Sequence, residues 1–414
     1  MAMAADGSSQ YRNRNQIVKW ITYTLLLLLR FFGIYQRGYI HPDEFFQGGQ
    51  ELFFGIDGNG RGGDANTYGV ADEYVTKNVP WEFEPNHAVR SIVPPSFMTL
   101  LPLRLYVTLR DYVVRFQDDE FHTSVTVTMD DDEQLSGGTT IRKSWIDSYW
   151  IWTAPDKMNL SGREILLVPR LFMAVLSVVF LDGSLWILTS SRRPSDNNRM
   201  GISSSNGPPV EVLIMASSWP CLAFGVRPFT NSLEAMVLAF LLVIVAMMHE
   251  PRIDDSNNVP HSADKRMNGA NNLASGSIPS LLLIGGICSI GVFVRFTFIF
   301  FAFPVVALFL WKRWRRWDGL GYKLMNVVYD GAWLALSFLL VSCAFIIVDT
   351  RYYSRQEDGT CTKLGCILNY IAPFNAFWYN SNRSNLAQHG LHPRLTHIGK
   401  TVLQSCNIIL TSSI

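Results

Sequence analysis

Ile17-Val18-Lys19-Trp20-Ile21-Thr22-Tyr23-Thr24-Leu25-Leu26-Leu27-Leu28-Leu29-Arg30-Phe31-Phe32-Gly33-Ile34 is a long apolar run near the start of the chain. A bilayer core of about 30 Å takes roughly 17–25 residues of helix, and this run is long enough. Arg12 and Arg14 stand before it and no clear small-residue cleavage site follows. It therefore reads as a first membrane helix with a cytosolic N-terminus, not as a signal peptide. Just past it comes His41-Pro42-Asp43-Glu44-Phe45-Phe46-Gln47-Gly48-Gly49-Gln50. Pro42 suits a first helical turn, and acids there suit the helix dipole. On a helix running on from Pro42, Asp43, Gln47 and Gln50 share one face, while Phe45, Leu52 and Phe53 can bury the other. That pattern predicts an amphipathic helix at a membrane edge with its acidic tip in water. A capped surface helix with solvated acids fits the same pattern.

The whole chain agrees with a membrane setting. Its 414 residues are 48% hydrophobic and 17% charged, against about 25% charged in ordinary soluble domains. A net charge of +1 with scattered basic residues gives no footprint for nucleic acid. Residues 165–188 and 327–348 are long enough to span, and 210–226, 233–248, 281–294 and 296–311 are shorter but strongly apolar. Residues 92–109 are apolar yet interrupted by Pro94, Pro95, Pro102 and Arg104. The connections 195–209 and 252–277 are rich in Ser, Asn, Gly and Asp and read as loops. Cys221, Cys288 and Cys343 lie in apolar runs and are expected to be buried small residues. Cys361 and Cys366 could pair if their loop meets an oxidising lumen.

Charge sets an orientation. Trp311-Lys312-Arg313-Trp314-Arg315-Arg316-Trp317 is the most basic patch and belongs in the cytosol, as do Arg192-Arg193 and Lys265-Arg266. These agree with a cytosolic N-terminus if residues 92–109 make no net crossing. On that layout Asp43, Arg227, Arg295 and residues 351–397 all face the lumen. If 92–109 does span, the downstream basic loops are inverted or another crossing lies hidden within 144–159.

Several polar groups sit at membrane depth or beside it. Arg227-Pro228-Phe229-Thr230-Asn231-Ser232-Leu233-Glu234 joins two apolar runs, Arg295 divides two more, and Arg170 lies early in a span beside Pro169. Ionisable residues there point to function, although helix caps and snorkelling side chains look the same in sequence. His389, His392, Arg394 and His397 fall on the same side. Arginines and histidines offer donors suited to a phosphate, and a neighbouring carboxylate can take a hydroxyl proton. No Gly-rich phosphate loop and no His/Glu metal spacing is present, so the chemistry is expected to need no cofactor and no metal.

Four blocks carry a family resemblance: Tyr39-Ile40-His41-Pro42-Asp43-Glu44-Phe45-Phe46-Gln47, Arg90-Ser91-Ile92-Val93-Pro94-Pro95, Arg227 to Glu234, and His389-Gly390-Leu391-His392-Pro393-Arg394, with Arg295-Phe296-Thr297-Phe298 beside them. Together they resemble the GT-C class mannosyltransferases of glycosyltransferase family 22, which use dolichyl-phosphate-mannose. The Arg-Pro-Phe and His-Gly-Leu-His-Pro blocks are most similar to the branch that adds the fourth, side-branching mannose to a GPI anchor precursor. The resemblance implies an all-α polytopic membrane fold of about seven to eight membrane helices, with a lumenal catalytic loop after the first, in the endoplasmic reticulum. It implies α-1,2 transfer with inversion, Asp43 as base and Glu44 as its partner. It also implies that His41, Gln47, Arg90, Arg227, Asn231, Glu234, Arg295, His389, His392 and Arg394 serve substrate binding. The partners are then a lipid-linked sugar donor and a GPI glycolipid acceptor.

Two alternatives stay open: another acceptor within the same family (the third GPI mannose or an N-glycan precursor), and a polytopic transporter or lipid-binding protein. Members of the family usually continue past the His-Pro block with more membrane helices. Residues 1–414 are therefore expected to form one membrane domain truncated at its C-terminus, with a polar, acidic insert over 111–163.

Overall fold

The computed structural model describes residues 3–36, 80–84, 88–122, 160–191, 207–248, 278–315, 319–356, 369–382 and 384–385. These residues form an all-α, polytopic membrane fold, with no strand among them. Helix α1 (Met3–Phe32) ends in the tight turn Gly33–Tyr35. After the turn Trp81–Phe83, a short turn Val93–Pro95 and a π-helical turn Ser96–Leu100 lead into α2 (Leu101–His122). Next come α3 (Gly162–Ser177), a π-helical turn Val178–Asp182 and α4 (Gly183–Ser191). Then follow α5 (Val210–Ser217), α6 (Trp219–Phe224), α7 (Thr230–Met247), α8 (Ile278–Val294), α9 (Phe298–Arg315), α10 (Leu320–Gln356) and α11 (Ala372–Ser381).

Four stretches are long and apolar enough to cross a bilayer: Asn13–Tyr35, Gly162–Ser190, Thr230–Met247 and Leu320–Ser354, with α8 shorter. The apolar stretch expected over 210–226 is two short helices, because Ser218 is extended and Pro220 opens α6. Many outward side chains are large and apolar, among them Leu25, Leu28, Phe300, Phe303, Leu339 and Leu340. In water such a surface would aggregate, whereas lipid solvates it. Cys343, expected to be buried, is among the exposed residues; Cys221 is buried and Cys288 half-buried. On a helix that is apolar all round, sequence does not separate a lipid-facing position from a core one.

Side-chain contacts fix the direction of each pass. Trp20 packs on Trp186, Arg30 meets Asp182, and Arg170 reaches Gln36, so α1 and α3–α4 run antiparallel. Val212 and Ala216 pack on Tyr23, and Arg227 reaches Gln36, so α5–α6 run alongside α1 in the same direction. Glu234 meets Arg295 while Leu241 packs on Leu281 and Ile284, which turns α7 against α8. Helices α8 and α10 share the closest seam: a Cβ on Gly285 would collide with the Leu334 carbonyl, and the Ser289 and Ser342 hydroxyls bond at 2.9 Å. Small residues and paired hydroxyls let membrane helices approach in this way. The first turn of α3 carries a complete capping box, Ser161 with Glu164.

The interrupted segment 92–109 makes no net pass. Ile92 donates its N–H to Asp349 Oδ1 near the far end of α10, Phe97 packs on Phe172, and Tyr106 donates to Glu164 Oε1 at the start of α3. Asp349 and Glu164 lie toward one end of the bundle, so the segment dips in and leaves by the end it entered. The first part of the expected insert, 111–122, simply continues α2. The opposite end carries Lys312, Arg313 and Arg315 in the last turn of α9, where basic side chains oppose the helix dipole. Arg313 also pairs with Asp330 and Arg315 lies over Trp311. In intact microsomes a cysteine placed at Arg315 is expected to react with an impermeant reagent from the cytosolic side, and Asn382 to lie on the lumenal side. Labelling at 315 only after the lumen is opened would invert the layout.

Candidate active site

The end of the bundle at Gln36 gathers most of the buried charge among the described residues. The first turn of α7 ties it together. Arg227, in the tight turn between α6 and α7, donates Nη2 to Gln36 Oε1 at 2.9 Å. Arg170 donates Nη1 to the Gln36 carbonyl at 2.7 Å and to the Ile34 carbonyl at 3.4 Å. These carbonyls close α1, where the helix's own N–H groups have run out. Arg90 holds Glu82 through two bonds, Nε to Oε2 at 2.5 Å and Nη2 to Oε1 at 3.2 Å, and Nη1 lies 3.5 Å from Thr230 Oγ1. One turn further along α7, Glu234 Oε2 lies 3.5 Å from Arg295 Nε, and Glu234 Oε1 accepts from Thr297 at 3.2 Å.

The arginines differ in access. Arg170 and Arg227 are 0% and 1% exposed, whereas the side chains of Arg90 and Arg295 keep 20% and 28%. The second pair is therefore partly exposed and the first enclosed. Asn231 is exposed on the first turn of α7.

The backbone around Arg90 is held from α10 and α11. Tyr353 donates its hydroxyl to the Arg90 carbonyl at 2.5 Å. Asp349 accepts from the Ser91 hydroxyl and the Ile92 N–H, and Asn375 donates to the Ala88 carbonyl at 3.2 Å. Ala88 itself has φ +38°, the left-handed region. That conformation costs a non-glycine residue about 1–2 kcal/mol, so the surrounding bonds enforce it. Asp349, Tyr353, Gln36 and Glu82 carry no motif of their own and are visible as site residues only in three dimensions, and Thr230 lies in the Arg227 to Glu234 block without a role assigned from sequence.

Of the residues expected from sequence, Arg90, Arg227, Asn231, Glu234 and Arg295 converge at this end. His41, Asp43, Glu44, Gln47, His389, His392 and Arg394 lie outside the described residues, as do Cys361 and Cys366. Deeper in the bundle sits a separate buried pair. Arg30 lies 3.1 Å from Asp182 Oδ2 and also contacts Ser177, and the Tyr23 hydroxyl donates to Asp182 at 2.9 Å.

Residues 73–414 match a family model described as the Alg9-like mannosyltransferase family. Among curated proteins, "GPI alpha-1,2-mannosyltransferase 4" of Homo sapiens is 28% identical over 88% of this chain and 46% of its own length. "GPI mannosyltransferase 4" of Candida albicans is 26% identical over 92% of this chain and 56% of its own. The Schizosaccharomyces pombe protein of the same name is 27% identical over 91% and 50%. The chain thus spans about half the length of the curated relatives it matches. No solved structure matches it.

Proposed function

Since the chain belongs to the Alg9-like mannosyltransferase family, we propose that it transfers mannose from dolichyl-phosphate-mannose, in α-1,2 linkage, to the third mannose of a GPI precursor in the endoplasmic reticulum membrane. The carrying observation is the set of arginines from separate segments brought to the one bundle end from which the chain runs on to His41-Pro42-Asp43-Glu44. The names of the relatives support the choice of acceptor.

In this reading the Asp43 carboxylate takes the proton of the acceptor's hydroxyl. The freed oxygen attacks C1 of the donor mannose opposite the phosphate. The C1–O bond breaks, its electron pair stays on the phosphate, and a β-linked donor becomes an α-linked product. Glu44 orients the base or the acceptor. Arg90 and Arg295, partly exposed and paired with Glu82 and Glu234, stabilise the phosphate as charge builds on it, with His389, His392 and Arg394 as further donors. The lipid tail lies against the apolar outer faces of the helices, and the lumen is the side of the chemistry. No cofactor is required, because the donor already carries its leaving group.

A transport pathway through the bundle calls for several acids inside the spans, and Asp182 is one such acid. Arg30 and Tyr23 already occupy it. In microsomes given labelled donor, the expected result is label in a four-mannose GPI lipid. Uptake of substrate without transfer would favour transport instead.

A further inference from the structure

Gln36 directly follows the first span, Asn13–Tyr35, and the chain runs on from it to Asp43, seven residues later. Two charged side chains from elsewhere in the bundle grip it. Arg170 bonds its backbone carbonyl at 2.7 Å, and Arg227 bonds its side-chain oxygen at 2.9 Å. Both guanidinium groups are enclosed, at 0% and 1% exposure. Burying such a cation is costly unless it is paired or hydrogen-bonded, and the bonds from Arg170 and Arg227 to Gln36 meet part of that need at the exit from α1. A simple helix cap would need neither two arginines nor the side chain of Gln36, since water at a membrane edge also satisfies carbonyls.

We infer that Gln36, Arg170 and Arg227 are positioning residues, a clamp that sets the place and direction in which the chain leaves α1 for its catalytic carboxylate. The arginines at this end then divide by access. Arg90 and Arg295 meet the phosphate; Arg170 and Arg227 hold the chain. This rests on the mannosyl-transfer reading and refines it, since Arg227 acts through Gln36 and not on the donor.

Displacing a reacting group by about 1 Å can cost on the order of 10²-fold in rate. Gln36→Ala and Arg227→Ala are each expected to lower kcat by about that factor while leaving the donor KM unchanged. The double variant should fall short of the two losses added together, because both changes break the Gln36–Arg227 bond. Arg227→Lys should be impaired, and adding Gln36→Glu to it should restore much of the loss, by giving the lysine a carboxylate to hold. If Arg227 met the phosphate directly, that added carboxylate would repel the donor and deepen the defect.

The measurement is donor titration of the full chain in microsomes, with the amount of each variant determined by blot. Gln36→Ala removes one hydrogen bond and keeps the test decisive even if Arg227→Ala fails to accumulate. Wild-type kcat in Gln36→Ala would overturn the clamp. So would a raised donor KM with intact kcat in Arg227→Ala. A wild-type chain present but unable to transfer mannose would instead overturn the functional reading, and the clamp's role with it.

Discussion

Asp43→Asn is expected to lower mannose transfer by about 10²–10⁴-fold, the usual loss when a general base is removed. Asparagine keeps the size and one oxygen of aspartate but cannot accept the acceptor's proton at working pH. Among the described residues, contacts at the arginine-lined bundle end run through Gln36, Thr230, Glu234 and Glu82. Protein level and donor KM should therefore stay near wild type, and the loss should fall on kcat. Glu44→Gln should cost less. Near-normal transfer by Asp43→Asn would remove it as the base, and a worse defect in Glu44→Gln would exchange the two roles.

The second large effect is on folding. Arg30 and Asp182 are both enclosed, 3.1 Å apart, with Tyr23 bonded to the acid and Ser177 to the guanidinium. Removing one partner leaves the other charge buried and unmet, which costs about 3–5 kcal/mol. In a hydrocarbon setting water offers little relief. Arg30→Met and Asp182→Leu are each expected to deplete the folded protein and lower its Tm in detergent. The double variant should recover most of that loss, because a buried pair replaced by apolar side chains of similar size is often neutral. A double variant as unstable as the two losses added together would show that the residues act independently.

The fold was largely legible in the sequence because membrane helices announce themselves by length and apolarity. The charge pattern also favoured a layout in which 92–109 makes no net crossing, and the bonds from Ile92 to Asp349 and from Tyr106 to Glu164 return both ends to one side. The seams were not legible. Arg30 looks like the end of a leucine run, and its partner lies 152 residues away. Arg170 reads equally as a snorkelling residue or a site residue until its bonds to Gln36 are seen. Gln36 gave no signal at all, since an uncharged amide at a helix end is ordinary. In the site, Arg90, Arg227 and Arg295 were found through their motifs, but motifs do not separate an enclosed guanidinium from an accessible one.

The buried pair also sets an order of events during synthesis. Arg30 leaves the ribosome 152 residues before Asp182, roughly 8–30 s earlier at typical translation rates. Throughout that interval the first helix carries a guanidinium with no acid to receive it. Its charge must stay near water or within the insertion machinery until α3 follows. The helix made first is therefore seated in lipid only once a later one arrives to neutralise it.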